Sequence, residues 1–285
     1  MYIRGKSAMS WFEAVFYGIL QGLTEFLPIS SSGHLALAQE IFGSELDSSQ
    51  RLGFGTLLHL ATLLAVVIVY RADVVSLIKG AFSLIGGTFS GRVFKNRLEF
   101  DERLALCTLV SSLALLPAAF LDGILEPISS SIVAVGILLI INSVILWFSD
   151  LLGKQSKDLS KMTLKNAFLV GVCQLFALLP GISRSGSTVC GMLTQDFDRV
   201  SAVRFSFIMS IPTIIGAFAF EMPKLFESGA FNGELSVYLL GAACAALTAI
   251  ASIKLLSLIS KKFNFRIFSY YCFALGVLAV IISLL

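Results

Sequence analysis

The sequence has little charge: Asp, Glu, Lys and Arg together make up only 14% of its 285 residues. Hydrophobic residues make up 56%, and the mean hydropathy is +0.89. Charged residues make up about 25% of an ordinary soluble domain, so this composition excludes that class and indicates an integral membrane protein. The net charge of +3 says little, because the sign of each loop is more informative than the sum.

Two further features are missing, a paired cysteine motif and a signal peptide. The five cysteines lie in apolar runs without any C-x-x-C spacing, which predicts small buried residues, no disulfide and no thiolate-bound metal. The first ten residues lack the short apolar core and small-residue cleavage site of a signal peptide. We therefore expect the first apolar run to be retained.

The most polar stretch within an apolar run is residues 21–34, which read QGLTEFLPISSSGH. It contains Glu25, His34, three consecutive serines and Pro28. An ionisable group in hydrocarbon costs free energy, so such groups within membrane segments mark functional sites by default. This stretch is therefore the first candidate site.

A degenerate copy of this stretch, QLFALLPGISRSGST, lies at residues 174–188. At an offset of 153 positions six residues in or beside this stretch recur unchanged, namely Gly18, Gln21, Ile29, Ser30, Ser32 and Gly33, and so do Arg51 and Phe54. The recurrence predicts a duplicated chain with repeats at 1–150 and 151–285 and with the two polar loops as paired centres.

Each polar stretch interrupts a helix. Pro28 cannot continue a helix because it lacks an N–H, and the serines after it are favoured N-cap residues of a new one. The arms on either side are shorter than the roughly 20 residues that a membrane span requires. Residues 11–38 and 167–197 are therefore each either one broken span or a re-entrant helical hairpin.

The signs of the loops decide between these alternatives. The predicted spans are 52–70, 104–121, 132–149, 205–220, 237–259 and 267–285, and residues 71–103 are predicted to be a basic cytoplasmic loop. If 167–197 dips into the membrane and returns, every later loop has the sign that the positive-inside rule requires. Only Arg4 and Lys6, which then lie outside, conflict with this assignment.

The sequence thus predicts an all-α polytopic membrane protein with an inverted-topology repeat. Each half has one re-entrant helical hairpin plus three transmembrane helices. Three crossings leave the chain on the opposite side of the membrane, so the two halves are oppositely oriented. The two broken-helix tips should meet near the membrane midplane. Because the first tip enters from the outer side, we expect the site to open to the outer face.

The tips have the features of an anion site. Helix N-termini present unpaired backbone N–H groups, which bind anions. Arg184 lies at such a terminus, where a cation opposes the helix dipole, so a negative group should offset it. Phosphate fits because a guanidinium binds it bidentately. The alternative is a structural pair between Arg184 and Glu25 alone.

The two copies differ where chemistry requires different groups. The second has no counterpart of Glu25, Ser31 or His34, and it supplies Arg184 instead. An acid, a hydroxyl and an imidazole opposite a positive charge suit phosphoryl transfer. Gln21 and Glu25 share one helix face, and Glu25 is either a general base or a ligand of a divalent cation.

Two other polar residues have simpler interpretations. His59, in the run LLHL, has no acidic neighbour in sequence, so we interpret it as a packing or helix-bonded histidine. Asn142 has the character of an interhelical hydrogen bonder.

Three motifs closely resemble the undecaprenyl-diphosphate phosphatases of the BacA/UppP type. They are QGLTEFLPISSSGH from Gln21, PGISRSGST from Pro180 and FSFIMSIP from Phe205, and the similarity covers nearly the whole chain. The resemblance implies a bacterial inner-membrane enzyme that removes the terminal phosphate of a C55 isoprenoid diphosphate. Such an enzyme recycles the carrier lipid for peptidoglycan and other envelope polymers, and family members confer bacitracin resistance.

The resemblance also implies the site. The implied catalytic residues are Glu25, Ser31, His34 and Arg184, and the implied substrate-binding residues are Gln21, Ser30, Ser32, Ser183, Ser185 and Thr188. A divalent cation, Mg²⁺ or Ca²⁺, is implied, with Glu25 as its candidate ligand. Spacing leaves open whether Ser31 or His34 attacks phosphorus, and Ser31 beside a base is preferred. The implied partners are the lipid and the membrane, without nucleic acid, and a homodimer is left open.

A transporter or flippase for an anionic lipid or small anion is the alternative, since inverted repeats with broken helices are the architecture of alternating access. The loss of the acid, hydroxyl and imidazole from the second tip favours a fixed reactive site.

Overall fold

The structure is a computed structural model that describes residues 9–42, 48–89, 98–152, 154–227, 235–262 and 264–284. Within these ranges the regular structure is helical, and the only β-type pairing is an isolated bridge between Lys157 and Phe197. Arg4, Lys6 and the loop charges at 43–47, 90–97 and 228–234 lie outside the described residues.

Twelve α-helices lie in the described ranges. They are α1 (Trp11–Thr24), α2 (Ser31–Phe42), α3 (Ser48–Val69), α4 (Arg71–Phe89), α5 (Phe100–Leu113), α6 (Asp122–Ser129), α7 (Ile132–Leu152), α8 (Leu164–Phe176), α9 (Arg184–Leu193), α10 (Arg199–Glu227), α11 (Leu235–Lys262) and α12 (Arg266–Leu284). Two short 3₁₀ helices cover Leu116–Phe120 and Leu159–Lys161. Six of the α-helices, α3, α4, α7, α10, α11 and α12, are long and apolar enough to cross a membrane. The predicted class, an all-α polytopic membrane protein, is confirmed.

One predicted span, 104–121, is not one continuous α-helix. At 104–121 the α-helix ends at Leu113, and a 3₁₀ helix that contains Pro117 near its start follows. The 14 residues of α5 extend only about 21 Å, less than the roughly 30 Å of a bilayer core. The predicted loop at 71–103 instead contains α4, the least apolar of the six candidate spans. The other five predicted spans coincide with α3, α7, α10, α11 and α12 apart from end residues.

The two polar stretches form helix–break–helix units. The first unit is α1 and α2 with a break at 25–30, and the second is α8 and α9 with a break at 177–183. Ser10 begins α1 with a capping box, and Ser183 caps α9 by accepting a hydrogen bond from the Gly186 N–H. The arms have 14, 12, 13 and 10 residues, too few to span a bilayer. Their re-entrant insertion stays a prediction.

Similar helix contacts occur in both halves of the chain. Helix α1 packs against α11, and its equivalent α8 packs against α5. Helix α3 packs against α11 as α10 packs against α5. A Cβ atom on Gly18 would overlap the Gly241 carbonyl, and one on Gly171, the equivalent position, would overlap the Ser111 carbonyl. These contacts support the duplication, and the opposite orientation of the halves stays a prediction.

Aromatic packing fixes the first break against α10. Phe26 is fully buried and meets Phe207 edge to face, with ring centroids 5.2 Å apart. Phe207 also contacts Tyr70 at the end of α3. The break at 25–30 is therefore held by the same buried cluster that joins α3 to α10.

Candidate active site

The two breaks meet at an ion pair between Glu25 and Arg184. Arg184 Nη2 donates to Glu25 Oε1 over 2.9 Å. The Glu25 side chain is only 5% exposed and the Arg184 side chain 16%. The structure therefore brings the predicted acid of the first tip to the predicted cation of the second.

Local backbone geometry places both charges. Glu25 directly follows α1, and its N–H still donates to the Gln21 carbonyl, so its side chain continues the helix face of Gln21. Arg184 is the first residue of α9, directly after the Ser183 cap. The turn before it needs Gly181, which has a φ of 107° and whose added Cβ would lie 2.7 Å from the Val135 carbonyl oxygen.

The Glu25 carboxylate collects hydrogen bonds from both tips. Its Oε2 atom accepts from Gln21 Nε2 at 2.9 Å and from Ser31 Oγ at 2.8 Å, while Oε1 accepts from Arg184. A hydroxyl that donates to a carboxylate is arranged as a nucleophile beside its base. This geometry suits Ser31 as the attacking group.

The imidazole nearest to this carboxylate belongs to His59, which the sequence analysis missed. His59 Nδ1 lies 3.2 Å from Gln21 Nε2 and 3.6 Å from Glu25 Oε2, and its side chain is 47% exposed. The interpretation as a packing histidine is wrong, because its acidic neighbour comes from α1 and not from its own helix. An ionisable residue within an apolar span was the signal that could have identified it.

His34 has different neighbours. Its Nδ1 lies 2.7 Å from the Ser30 carbonyl oxygen, and its Nε2 lies 2.7 Å from the Tyr271 hydroxyl. The imidazole and the Tyr271 ring are nearly parallel, with centroids 5.6 Å apart and planes 6° apart. The structure therefore does not bring His34 to Glu25.

A cavity of about 430 Å³ opens between the tips, α3 and α10. Its polar wall comprises Glu25, Ser30, Ser31, Ser32, His59, Ser183 and Arg184. Its apolar wall includes Leu60, Ile214, Ala217 and Phe218. Thr56 donates to Glu221 at this cavity's lining. A second cavity of similar volume shares Ser32 and Pro180 with it and is also lined by Glu40 and Arg51.

The predicted substrate-binding residues separate into two groups. Ser30, Ser32 and Ser183 line the cavity, and Gln21 donates a hydrogen bond to the Glu25 carboxylate. Ser185 instead donates to the Leu27 carbonyl at 3.1 Å, which joins the second tip to the first. Thr188 donates to the Arg184 carbonyl and pairs with Ser206 within the core. Ser185 and Thr188 are therefore not among the residues that line the cavity.

The residues do not form a preformed metal site. In the part of the chain that the structure describes, no three His, Cys, Asp or Glu side chains cluster closely enough to hold an ion. Both oxygens of Glu25 already accept hydrogen bonds. A cation held by the protein alone does not fit this arrangement.

One donor of Arg184 is left over. Its Nη1 atom is buried and has no hydrogen-bond partner among the residues described. A buried unpaired donor costs about 1–3 kcal/mol, more when it is charged. Arg184 also lines the cavity, so an anionic group there would lie beside a positive charge.

A known protein family matches most of this chain. A family model described as Bacitracin resistance protein BacA matches residues 14–278. The chain belongs to the BacA family. Three similar relatives, each named undecaprenyl-diphosphatase, come from Halothermothrix orenii, Desulfatibacillum aliphaticivorans and Methanococcus vannielii. They are 34%, 37% and 36% identical over 96%, 94% and 92% of this chain and 99%, 97% and 96% of their own lengths.

Proposed function

We propose that this chain is a membrane phosphatase that hydrolyses undecaprenyl diphosphate to undecaprenyl phosphate and inorganic phosphate. The observation that carries the proposal is a serine hydroxyl, its carboxylate base and a buried arginine meeting in one cavity with an apolar wall. Membership of the BacA family, and relatives named undecaprenyl-diphosphatase, support the choice of substrate. The reaction recycles a lipid carrier for cell-wall synthesis.

Ser31 attacks in the proposed first step. Its Oγ bonds to the terminal phosphorus, its proton passes to Glu25 Oε2, and the bond from phosphorus to the bridging oxygen breaks. Undecaprenyl phosphate leaves. Water then bonds to the phosphorus of the phosphoserine, the bond to Oγ breaks, and Oγ regains its proton from Glu25. The remaining protons of water leave with inorganic phosphate.

Arg184 is the proposed electrostatic clamp. One of its terminal nitrogens holds Glu25 while the other is unpaired, so the same guanidinium can orient the base and bind a phosphate oxygen. Charge moves onto the phosphoryl oxygens and the leaving oxygen during transfer, and a preorganised cation stabilises that state.

The apolar wall is the proposed binding site of the first isoprenoid units of the lipid. Leu60, Ile214 and Phe218 face the same cavity as Arg184, so a ligand there has a polar head against the tips and an apolar chain between α3 and α10. A divalent cation, which the family resemblance implies, would bind together with the diphosphate oxygens, because Mg²⁺ is commonly held by one carboxylate plus substrate phosphates.

The proposed location is the inner membrane, with the cavity open to the outer face. Two contacts mark the two ends of α10. Near its C-terminal end Glu221 accepts a hydrogen bond from Thr56 of α3, and near its N-terminal end Arg204 pairs with Asp73 of α4. The acidic segments 43–47 and 228–234 adjoin the first of these ends in sequence, which favours the outside for that end under the positive-inside rule, and the basic segment 90–97 after α4 is the exception.

The test is phosphate release from C55 diphosphate by the purified protein, with and without a chelator. We expect one phosphate per lipid, and we expect the chelator to lower the rate if a cation accompanies the diphosphate. The same lipid in proteoliposomes tests the transport alternative. Movement of intact diphosphate between leaflets without any phosphate release would contradict the proposed function.

A further inference from the structure

A single amide bonds to both tips. Asn142 lies in α7 and is fully buried. Its Nδ2 donates to the Pro28 carbonyl over 3.2 Å, and its Oδ1 accepts from the Ser183 N–H over 3.0 Å. Pro28 belongs to the first break and Ser183 caps the helix after the second. Nδ2 also lies 3.4 Å from Cys272 Sγ.

The breaks explain why these two backbone groups need a partner. Where a helix is interrupted, carbonyl and N–H groups lose their intrahelical bonds, and in a buried apolar setting each unpaired group is costly. Pro28 offers only a carbonyl and Ser183 offers only an N–H at this point, so the partner must donate to one and accept from the other. A side-chain amide does both within one rigid plane, and the two contacts also fix its orientation.

Direct contacts between the tips do not replace this amide. Ser185 Oγ donates to the Leu27 carbonyl at 3.1 Å, and the Gly181 N–H reaches Ser32 Oγ at 3.4 Å. These contacts join one break to the other. Asn142 differs because it comes from α7, a long helix that packs along α12. Its two hydrogen bonds therefore fix the positions of both breaks relative to the same helix.

We propose that Asn142 is a positioning residue that sets the register of the two tips and so holds Arg184 within reach of Glu25. Ser183 is adjacent to Arg184, and Pro28 lies three residues from both Glu25 and Ser31. A shift of about 1 Å at reacting groups can cost about a hundredfold in rate. The consequence for turnover rests on the proposed function, whereas the consequence for tip geometry does not.

Two substitutions separate the halves of the contact. Asn142→Leu has similar size and removes both hydrogen bonds. Asn142→Asp keeps the acceptor for Ser183 and, at a pH above the pKa of the new carboxyl, removes the donor to Pro28. Ser143→Ala is the matched control, because the Ser143 hydroxyl is buried on the same helix and bonds only the Ile140 carbonyl of that helix. We expect the control to match the wild type.

Hydrogen exchange measures tip geometry without relying on activity. We expect the backbone amides of 25–34 and 179–188 to exchange about tenfold faster in Asn142→Leu, the equivalent of one hydrogen bond. In Asn142→Asp the first segment should change more than the second. Exchange at wild-type rates in both segments of both variants would overturn the proposal.

Kinetics then separates positioning from general stability. Asn142→Leu, assayed well below its melting temperature, should lower kcat about a hundredfold with a smaller change in KM. In an Arg184→Ala background the same substitution should cost far less, because no guanidinium remains to be positioned. The proposal would be overturned if Asn142→Leu lowered kcat by the same factor in the Arg184→Ala background as in the wild type. It would also be overturned if the kcat of Asn142→Leu equalled that of the Ser143→Ala control. A wild type that releases no phosphate would instead reject the proposed function, and the exchange measurement would still decide the role of Asn142.

Discussion

At the scale of single residues, the Glu25–Arg184 pair has both a structural and a chemical consequence. Both side chains are largely buried. Removing one partner of a buried ion pair commonly costs about 3–5 kcal/mol, because the other charge is left uncompensated. A variant of either residue must therefore be compared with the wild type in both folding and turnover.

Substitutions of Arg184 test the clamp. Arg184→Lys keeps the charge but loses the fork that reaches Glu25 and the cavity together, and Arg184→Ala loses both. We expect Arg184→Ala to lower turnover by about a hundredfold or more, with Arg184→Lys in between. Phosphate release and thermal melting are the measurements. Turnover near the wild-type rate in Arg184→Ala would mean that the second tip serves architecture alone.

The two histidines provide a second prediction. His59 lines the cavity beside Glu25, whereas His34 contacts Ser30 and Tyr271 away from it. We expect His59→Gln to lower turnover about a hundredfold, the lower end of what a positioned acid–base side chain contributes. His34→Gln should mainly lower the melting temperature. The opposite pattern, with His34→Gln inactive but stable and His59→Gln fully active, would show that His34 and not His59 acts at the cavity.

The residues that sequence could identify are those whose presence in an apolar run is costly. Glu25 and Arg184 met that criterion, and the structure brings them together. His59 met it too, but its partner lies on another helix, so a local search for an acid failed. The orientation of His34 depends on Tyr271, 237 positions away, which no local pattern reveals.

At the scale of the helices, breaks were easier to predict than spans. Pro28 and the serines after it indicated the first break, and the duplication indicated the second. The prediction of 104–121 in place of α4 arose because an α-helix ends at Leu113 within an apolar run, while the charges of Arg71, Asp73 and Lys79 made an apolar helix resemble a loop. Composition measures apolar content but does not show where a helix ends.

Gly181 allows a test of the second break. Its φ of 107° is unfavourable for any residue with a Cβ, and that atom would lie 2.7 Å from the Val135 carbonyl oxygen. We expect Gly181→Ala to destabilise the protein by about 1–3 kcal/mol and to reduce turnover. Gly216→Ala is the control, since a Cβ there meets no atom within 4 Å. Equal melting temperatures for the two variants would show that the turn does not require glycine.

At the scale of the whole molecule, composition was enough to predict the membrane class, whereas the orientation rests on charge alone. Many of the deciding loop charges lie outside the described residues. The ends of the molecule are nevertheless distinct, since Glu40 lines the second cavity and Lys261 lies in the basic last turn of α11.

Thiol labelling tests this orientation. Glu40 and Lys261 are both exposed. In spheroplasts, a membrane-impermeant maleimide should label Glu40→Cys at once and Lys261→Cys only after permeabilisation. The wild type, with its five native cysteines, gives the background. Labelling of Lys261→Cys alone in intact spheroplasts would place the cavity on the cytoplasmic side.

The central claim is that the two tips form one phosphoryl-transfer site whose base is Glu25. It is tested most directly by phosphate release from C55 diphosphate by purified Glu25→Gln beside the wild type, below the melting temperature of both. The substitution keeps the shape and the contact with Ser31 but removes the charge that accepts its proton. The account predicts a loss of about a hundredfold or more. Turnover by Glu25→Gln at the wild-type rate would contradict it.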